Sequence, residues 1–225
     1  MGETIKLRAA DDHDLDAYHA PASGRARCGL VVVQEIFGVN SHIREVADGL
    51  ASEGYEVLAP ALFDRVERAV ELGYEEPDRN RGRELKGRVQ DHEALMDVQA
   101  AITNLRGRDG IYDVAVVGYC WGGLLAWLSA TRMFGVNAAV GYYGGGIAKA
   151  LDRKPRCPVM LHFGETDAMI PMDDVEKIRA AFPDMPIHVY PAGHGFNCDQ
   201  RASFDAESAA LARERTLKFL AEAIG

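Results

Sequence analysis

At 225 residues, with 48% apolar and 26% charged residues, the chain has the make-up of one soluble globular domain over residues 1–225. A formal net charge of -9 argues against nucleic acid as a partner, because phosphate binding by counterion release needs clustered lysine and arginine. No apolar run approaches the roughly 20 residues of a membrane helix, so no membrane partner is expected. Four cysteines without regular spacing make neither a disulfide framework nor a zinc pattern, and a reduced, cytoplasmic protein is the expectation. The opening MGETIKLRAADDHD lacks the apolar stretch of a signal peptide, and Lys6 breaks the myristoylation pattern.

In chain order, Ile5 to Ala9 and Leu15 to Ala20 read as an antiparallel pair around a polar turn. Cys28 to Val33 is a continuous apolar run, as in a strand covered on both faces, and it ends in Gln34-Glu35-Ile36-Phe37-Gly38. Ser41 is placed to cap a helix running to Ala51, and Gly54 stops it. Tyr55 to Ala59 returns as a strand. From Leu62 to Gly87 the polar, arginine-rich sequence, with Pro77 and Arg79, Arg81 and Arg83, predicts an irregular surface excursion near a pocket mouth. Arg88 to Leu105 has the spacing of an amphipathic helix.

Val114 to Val117 is a buried strand that breaks at Gly118-Tyr119-Cys120-Trp121-Gly122 into a helix over Leu124 to Met133. Val136 to Tyr143, Val159 to Phe163 and Ile187 to Tyr190 are further strands. Asp173 or Asp174 caps a helix to Ala181, and Glu207 to Ile224 closes the chain as a helix. This alternation predicts a doubly wound, mostly parallel α/β sheet with helices on both faces and no second domain, which the turn at Gly118 to Gly122 narrows to an α/β-hydrolase fold.

A strand that turns through G-x-nucleophile-x-G into a helix is a nucleophile elbow. The glycines admit a turn too tight for a Cβ, and the crest residue stands at a helix N-terminus that favours an anion. Here that residue is Cys120, whose thiol is expected to react as thiolate. Such a nucleophile needs an acid and then a histidine downstream, and both follow a predicted strand: Asp167, with Glu165 as its competitor, and His194 between two glycines. Ligands in such sheets bind beyond the carboxyl ends of the strands, where Glu35, Cys120, Asp167 and His194 all stand. His194 would exchange the thiol proton, Asp167 would orient the imidazole, and the N–H groups of Ile36 and Trp121 would hold an oxyanion. Glu35 lies beside that oxyanion loop. Cys28 and Cys157 read as packing at strand entries, and His162 and His188 as structural.

The motifs QEIFG (Gln34 to Gly38), GYCWGG (Gly118 to Gly123), GYYG (Gly141 to Gly144) and AGHGF (Ala192 to Phe196) together resemble the dienelactone hydrolase family over nearly the whole chain. The resemblance implies that Cys120, Asp167 and His194 are catalytic, and that Glu35 contacts the Cys120 thiol and helps generate thiolate. The implied reaction converts an enol-lactone, 4-carboxymethylenebut-2-en-4-olide, to maleylacetate without metal or organic cofactor. Family members hold the substrate carboxylate with arginines, one of them a helical turn past the histidine; here that position is Cys198. Arg201, three residues on, and the Arg79 to Arg83 group, represented by Arg81, are the candidate replacements, with Tyr143 and Phe37 as further substrate contacts.

The expected partner is a small lactone or ester, met by a monomer or small homo-oligomer. The competing readings are a carboxylesterase or thioesterase on the same residues, and a catalytically silent binding protein.

Overall fold

The computed structural model describes residues 2–225. Its sheet begins with β1 (Glu3–Arg8) and β2 (Asp14–Ala20), paired antiparallel. β3 (Gly29–Val33) follows, buried at every residue. Then come helix α1 (Ser41–Ser52) and strand β4 (Glu56–Pro60). A short 3-10 turn (Leu62–Arg65) leads to α2 (Glu76–Arg88) and α3 (Asp91–Arg106). Next are β5 (Val114–Tyr119), α4 (Trp121–Arg132) and β6 (Ala138–Tyr142). The chain ends with β7 (Val159–Gly164), α5 (Met172–Ala181), β8 (Ile187–Tyr190) and α6 (Ala206–Ile224).

The eight strands lie in the order β1-β2-β4-β3-β5-β6-β7-β8. β2 joins β4 antiparallel, and every pairing from β4 through to β8 is parallel. The predicted doubly wound sheet is therefore present, with an antiparallel hairpin at one edge. In register, Val33 faces Gly118 and Tyr119 faces Tyr142, so β3, β5 and β6 end at one level. That common edge is where the loops carrying Glu35, Cys120 and Tyr143 emerge. Helices α3 and α4 pack together on one face, and α1 and α6 cover the other. Among the described residues no helix is long and apolar enough to cross a membrane.

Three local expectations are corrected. Asn40, not Ser41, caps α1: its side-chain oxygen accepts the Ile43 N–H at 3.3 Å. Asp173 and Asp174 lie inside the first turn of α5, which Pro171 precedes as cap. The larger correction concerns Leu62 to Gly87, which is irregular only between Arg65 and Glu76 and helical from there on. Proline within the first helical turn costs no hydrogen bond, so Pro77 starts α2 rather than breaking it. Only Gly82 and Leu85 of α2 are buried, which leaves too faint an apolar period to read. Gly82 is there because a Cβ would collide with the Ile36 carbonyl, so α2 lies directly on the loop after β3. The segment is anchored from its other end by Arg65, which donates to both carboxylate oxygens of the fully buried Asp97 at 2.8 Å and to Asp11 at 2.8 Å.

The elbow is the tightest place in the sheet. A Cβ on Gly122 would run into the Val33 and Gln34 carbonyl oxygens, and one on Gly118 into the Gly122 carbonyl. Gly122→Ala should therefore destabilise the protein by about 3 kcal/mol or more, because backbone cannot yield as a side chain does. Gly49→Ala, in α1 with open space where its Cβ would go, should stabilise by about 0.4–1 kcal/mol. Urea denaturation of the two variants compares them, and equal effects would contradict this picture of the turn.

Candidate active site

Cys120 sits between β5 and α4 with φ 54° and ψ -114°, a left-handed conformation that side chains seldom adopt. The turn is held by its own N–H, which donates to the Tyr142 carbonyl at 3.0 Å, and by the Gly122 N–H, which donates to the Gln34 carbonyl at 3.1 Å. The sulfur is thereby raised above the sheet edge at the start of α4.

The loop after β8 brings His194 to it. His194 Nε2 is 3.2 Å from Cys120 Sγ, and its Nδ1 donates to Asp167 Oδ2 at 2.8 Å. Asp167 Oδ1 in turn accepts the Met169 N–H at 2.8 Å, so both carboxylate oxygens are committed. The Asp167 side chain is fully buried, while its sequence competitor Glu165 is exposed. Burial of His194 disfavours its charge, but the hydrogen bonds to Asp167 and Cys120 outweigh it and raise the imidazole to about 10. A protonated imidazole here carries one N–H toward the Asp167 carboxylate and one toward the sulfur. The arrangement can deliver a nucleophile and a proton to the two sides of one acyl bond.

Ile36 and Trp121 each leave a backbone N–H without a hydrogen bond among the described residues, on either side of the crest. The cavity in front of them has a volume of about 400 Å³ and is lined by Ile36, Phe37, Cys120, Trp121, Leu124 and His194, among others. Its charged lining consists of Arg79, Arg83, Lys86 and Arg201, and no carboxylate lines it among the described residues. Arg79 donates to the Tyr74 carbonyl and Arg83 to the Asn80 amide, so neither guanidinium is neutralised by those contacts.

Of the residues singled out from the sequence, Cys120, His194, Phe37, Ile36, Trp121 and Arg201 come together at this cavity, with Asp167 behind His194. Glu35 does not reach the thiol as expected. It is 1% exposed, its Oε1 accepts from Arg201 Nη1 at 3.1 Å, and its Oε2 has no partner. Arg81 points away from the cavity and pairs with Glu67 and Glu84. Tyr143 is wholly buried, its ring meeting the His194 ring edge-on at 5.1 Å, beneath the cavity rather than in it. Cys198 is also fully buried and does not line the cavity. Of the Arg79 to Arg83 group expected near the pocket mouth, Arg79 and Arg83 reach the cavity and Arg81 does not, while Lys86, which also lines it, has no signal of its own in the sequence: positions i, i+4 and i+7 share a helix face, and Arg81 at i+2 falls on another.

Residues 15–224 match the model of the dienelactone hydrolase family. The carboxymethylenebutenolidase of Pseudomonas putida is 36% identical over 233 residues, covering 98% of this chain and 97% of that protein. A protein named carboxymethylenebutenolidase from Pseudomonas knackmussii (strain DSM 6978 / CCUG 54928 / LMG 23759 / B13) matches to the same extent. A crystal structure from Klebsiella pneumoniae subsp. pneumoniae MGH 78578 superposes with a TM-score of 0.81 at 31% identity, covering 97% of this chain and 99% of that one. The dienelactone hydrolase-like promiscuous phosphotriesterase P91, at 21% identity and a TM-score of 0.81, shares the fold. With this elbow, this sheet and these relatives, the chain belongs to the dienelactone hydrolase family and is a hydrolase of esters or lactones.

Proposed function

We propose that the chain hydrolyses an anionic lactone or ester, best represented by 4-carboxymethylenebut-2-en-4-olide, through thiolate attack by Cys120. The observation that carries this reading is His194, bonded at once to the Cys120 sulfur and to the Asp167 carboxylate. The sulfur attacks the acyl carbon, and the carbonyl oxygen takes up negative charge between the Ile36 and Trp121 N–H groups. As the tetrahedral intermediate collapses, the C–O bond of the lactone breaks and the Nε2 proton of His194 passes to the leaving enolate oxygen. Neutral His194 then removes a proton from water as that water attacks the thioester. Collapse of the second intermediate so formed restores thiolate beside imidazolium, the new carboxyl group loses its remaining proton to solvent, and the released enol ketonises to maleylacetate.

The four cations around the cavity support a carboxylate-bearing substrate over a neutral ester. Arg201 is the contact nearest the chemistry, held in place by Glu35 from behind and by the faces of Phe37 and Tyr74. Glu35 is in this reading a positioning residue for Arg201. A carboxylesterase or thioesterase of other substrate remains the second reading, separated from the first by charge preference.

Arg83→Met should lower kcat/KM for the dienelactone by roughly 10- to 150-fold, the worth of one charged hydrogen bond, and leave a neutral nitrophenyl ester unchanged. An equal loss on both substrates would remove the anionic-substrate reading.

Asp167→Asn should lower kcat by a factor on the order of 10³–10⁴, since the imidazole loses its oriented tautomer. His194 is raised from 6.5, so its pairing stabilises the fold fully below pH 6.5 and that contribution is lost as pH rises through about 10. The Asn variant should lack most of that decline, which thermal melts across pH 6 to 10 would reveal. Unchanged kcat, or an unchanged melting profile, would mean that Asp167 does not sustain the imidazolium.

Cys120→Ser should hydrolyse the lactone poorly, because a site built around thiolate does not deprotonate a hydroxyl. Iodoacetamide, followed by peptide mass spectrometry, should modify Cys120 well before Cys28 or Cys157, whose thiols burial pushes up to about 12 and about 11. Equal labelling, or a fully active serine variant, would rule out thiolate catalysis.

A further inference from the structure

Outside the lining of the catalytic cavity, three groups of metal-ligating type meet where α1 touches the loop after β8. A ring nitrogen of His42, the sulfur of Cys198 and a carboxylate oxygen of Asp199 all lie within 4.8 Å of one another. His42 is 3% exposed, yet neither of its ring nitrogens makes a hydrogen bond among the described residues. Nδ1 stands 3.4 Å from Asp199 Oδ1, and Nε2 is buried without a partner. A buried imidazole with no hydrogen bond is an exception that an ion would account for. Cys198 is fully buried, its sulfur faced by the Tyr74 hydroxyl and the Gln200 N–H, the kind of outer donors that accompany a metal thiolate. Asp199 and His42 both border a second cavity of about 360 Å³, which gives an ion a way in and room for a water as fourth ligand. Glu45, one turn beyond His42 on α1, borders the same cavity.

The geometry points to a binding site for a divalent ion of zinc type at His42, Cys198 and Asp199, separate from the catalytic residues. One nitrogen, one sulfur and one oxygen ligand suit Zn²⁺ and its spectroscopic substitute Co²⁺, and the thiolate disfavours Mg²⁺ and Ca²⁺. On binding, the Cys198 thiol gives its proton to solvent and the sulfur donates an electron pair to the ion. No electron is transferred. Because residues 194–201 carry both His194 and Arg201, an ion held at Cys198 and Asp199 fastens that loop to α1. The inference does not depend on which substrate the hydrolase takes.

The test uses the full chain carrying Cys120→Ser, so that the active-site sulfur cannot bind metal, under reducing conditions. One equivalent of Co²⁺ should remain through gel filtration and produce a sulfur-to-cobalt charge-transfer band in the near ultraviolet. One equivalent of Zn²⁺ should displace it. Zn²⁺ at a hundredfold excess over its Kd should raise Tm by roughly 5–10 °C. Adding Cys198→Ser should abolish the band, and either Cys198→Ser or His42→Ala should weaken binding by roughly 100-fold or more, exceeding the loss from an outer-shell change. Should His42→Ala not fold, the near-isosteric Cys198→Ser decides alone. Failure to retain either ion, retention without the sulfur band, or a band that survives Cys198→Ser would overturn the assignment.

Discussion

Everything at the catalytic edge depends on one strained residue. Cys120 is held at φ 54°, a conformation costing on the order of 1–3 kcal/mol for a residue with a Cβ. The strain is offset by its surroundings: β5 is buried along its whole length, and the turn's N–H groups are received by carbonyls at the ends of β6 and of β3. Gly118, Gly122 and Gly123 let backbone approach backbone where no side chain would fit. The result is a sulfur lifted clear of the strands, at the dipole-positive end of a helix and open to a cavity. A relaxed turn would drop it back among β3, β5 and β6.

That sulfur sits in an arrangement of charges that is almost closed. Asp167, His194 and Cys120 form one buried series, and Glu35 with Arg201 forms a second. Leaving the charge of Asp167, His194, Glu35 or Arg201 without its partner would be costly, since each is largely removed from water. Three further cations, from α2, face the same cavity with no carboxylate opposing them there among the described residues. A protein of net charge -9 has thus gathered positive charge at one mouth, where low-dielectric walls strengthen its pull on an anion.

The parts of this site legible in the sequence were those announced by a strand end. Cys120, Asp167 and His194 each follow an apolar run broken by glycine, and parallel strands end on one edge, so their meeting could be anticipated before any coordinates. What escaped was carried by weaker patterns. Arg79, Arg83 and Lys86 lie on a helix with only two buried residues and an opening proline that resembles a breaker, so nothing in the sequence separates Arg79 and Arg83 from Arg81 or joins Lys86 to them. Tyr143, expected to contact substrate, has φ 37° and its ring turns under His194. Glu35 is buried against Arg201 and not at the Cys120 thiol where the resemblance puts it, because an ion pair across 166 residues leaves no local trace. His42 and Cys198 are as far beyond the reach of spacing rules, which find metal ligands only when the chain brings them close in order.

The loop from His194 to Arg201 concentrates more of the chemistry than its length suggests. Gly195, at φ 79°, leaves a space that the Arg201 guanidinium occupies, and a Cβ there would strike it. The Cys198 N–H donates to the Gly195 carbonyl and the Arg201 N–H to the Cys198 carbonyl, which folds the segment into a compact unit. Base and anion contact are therefore set by the same few backbone angles. A shift of the guanidinium is felt one residue from the imidazole, and Glu35, anchored at the end of β3, fixes the guanidinium in turn. The distance from His194 Nε2 to the sulfur thus rests on a buried carboxylate that touches neither of them among the described hydrogen bonds.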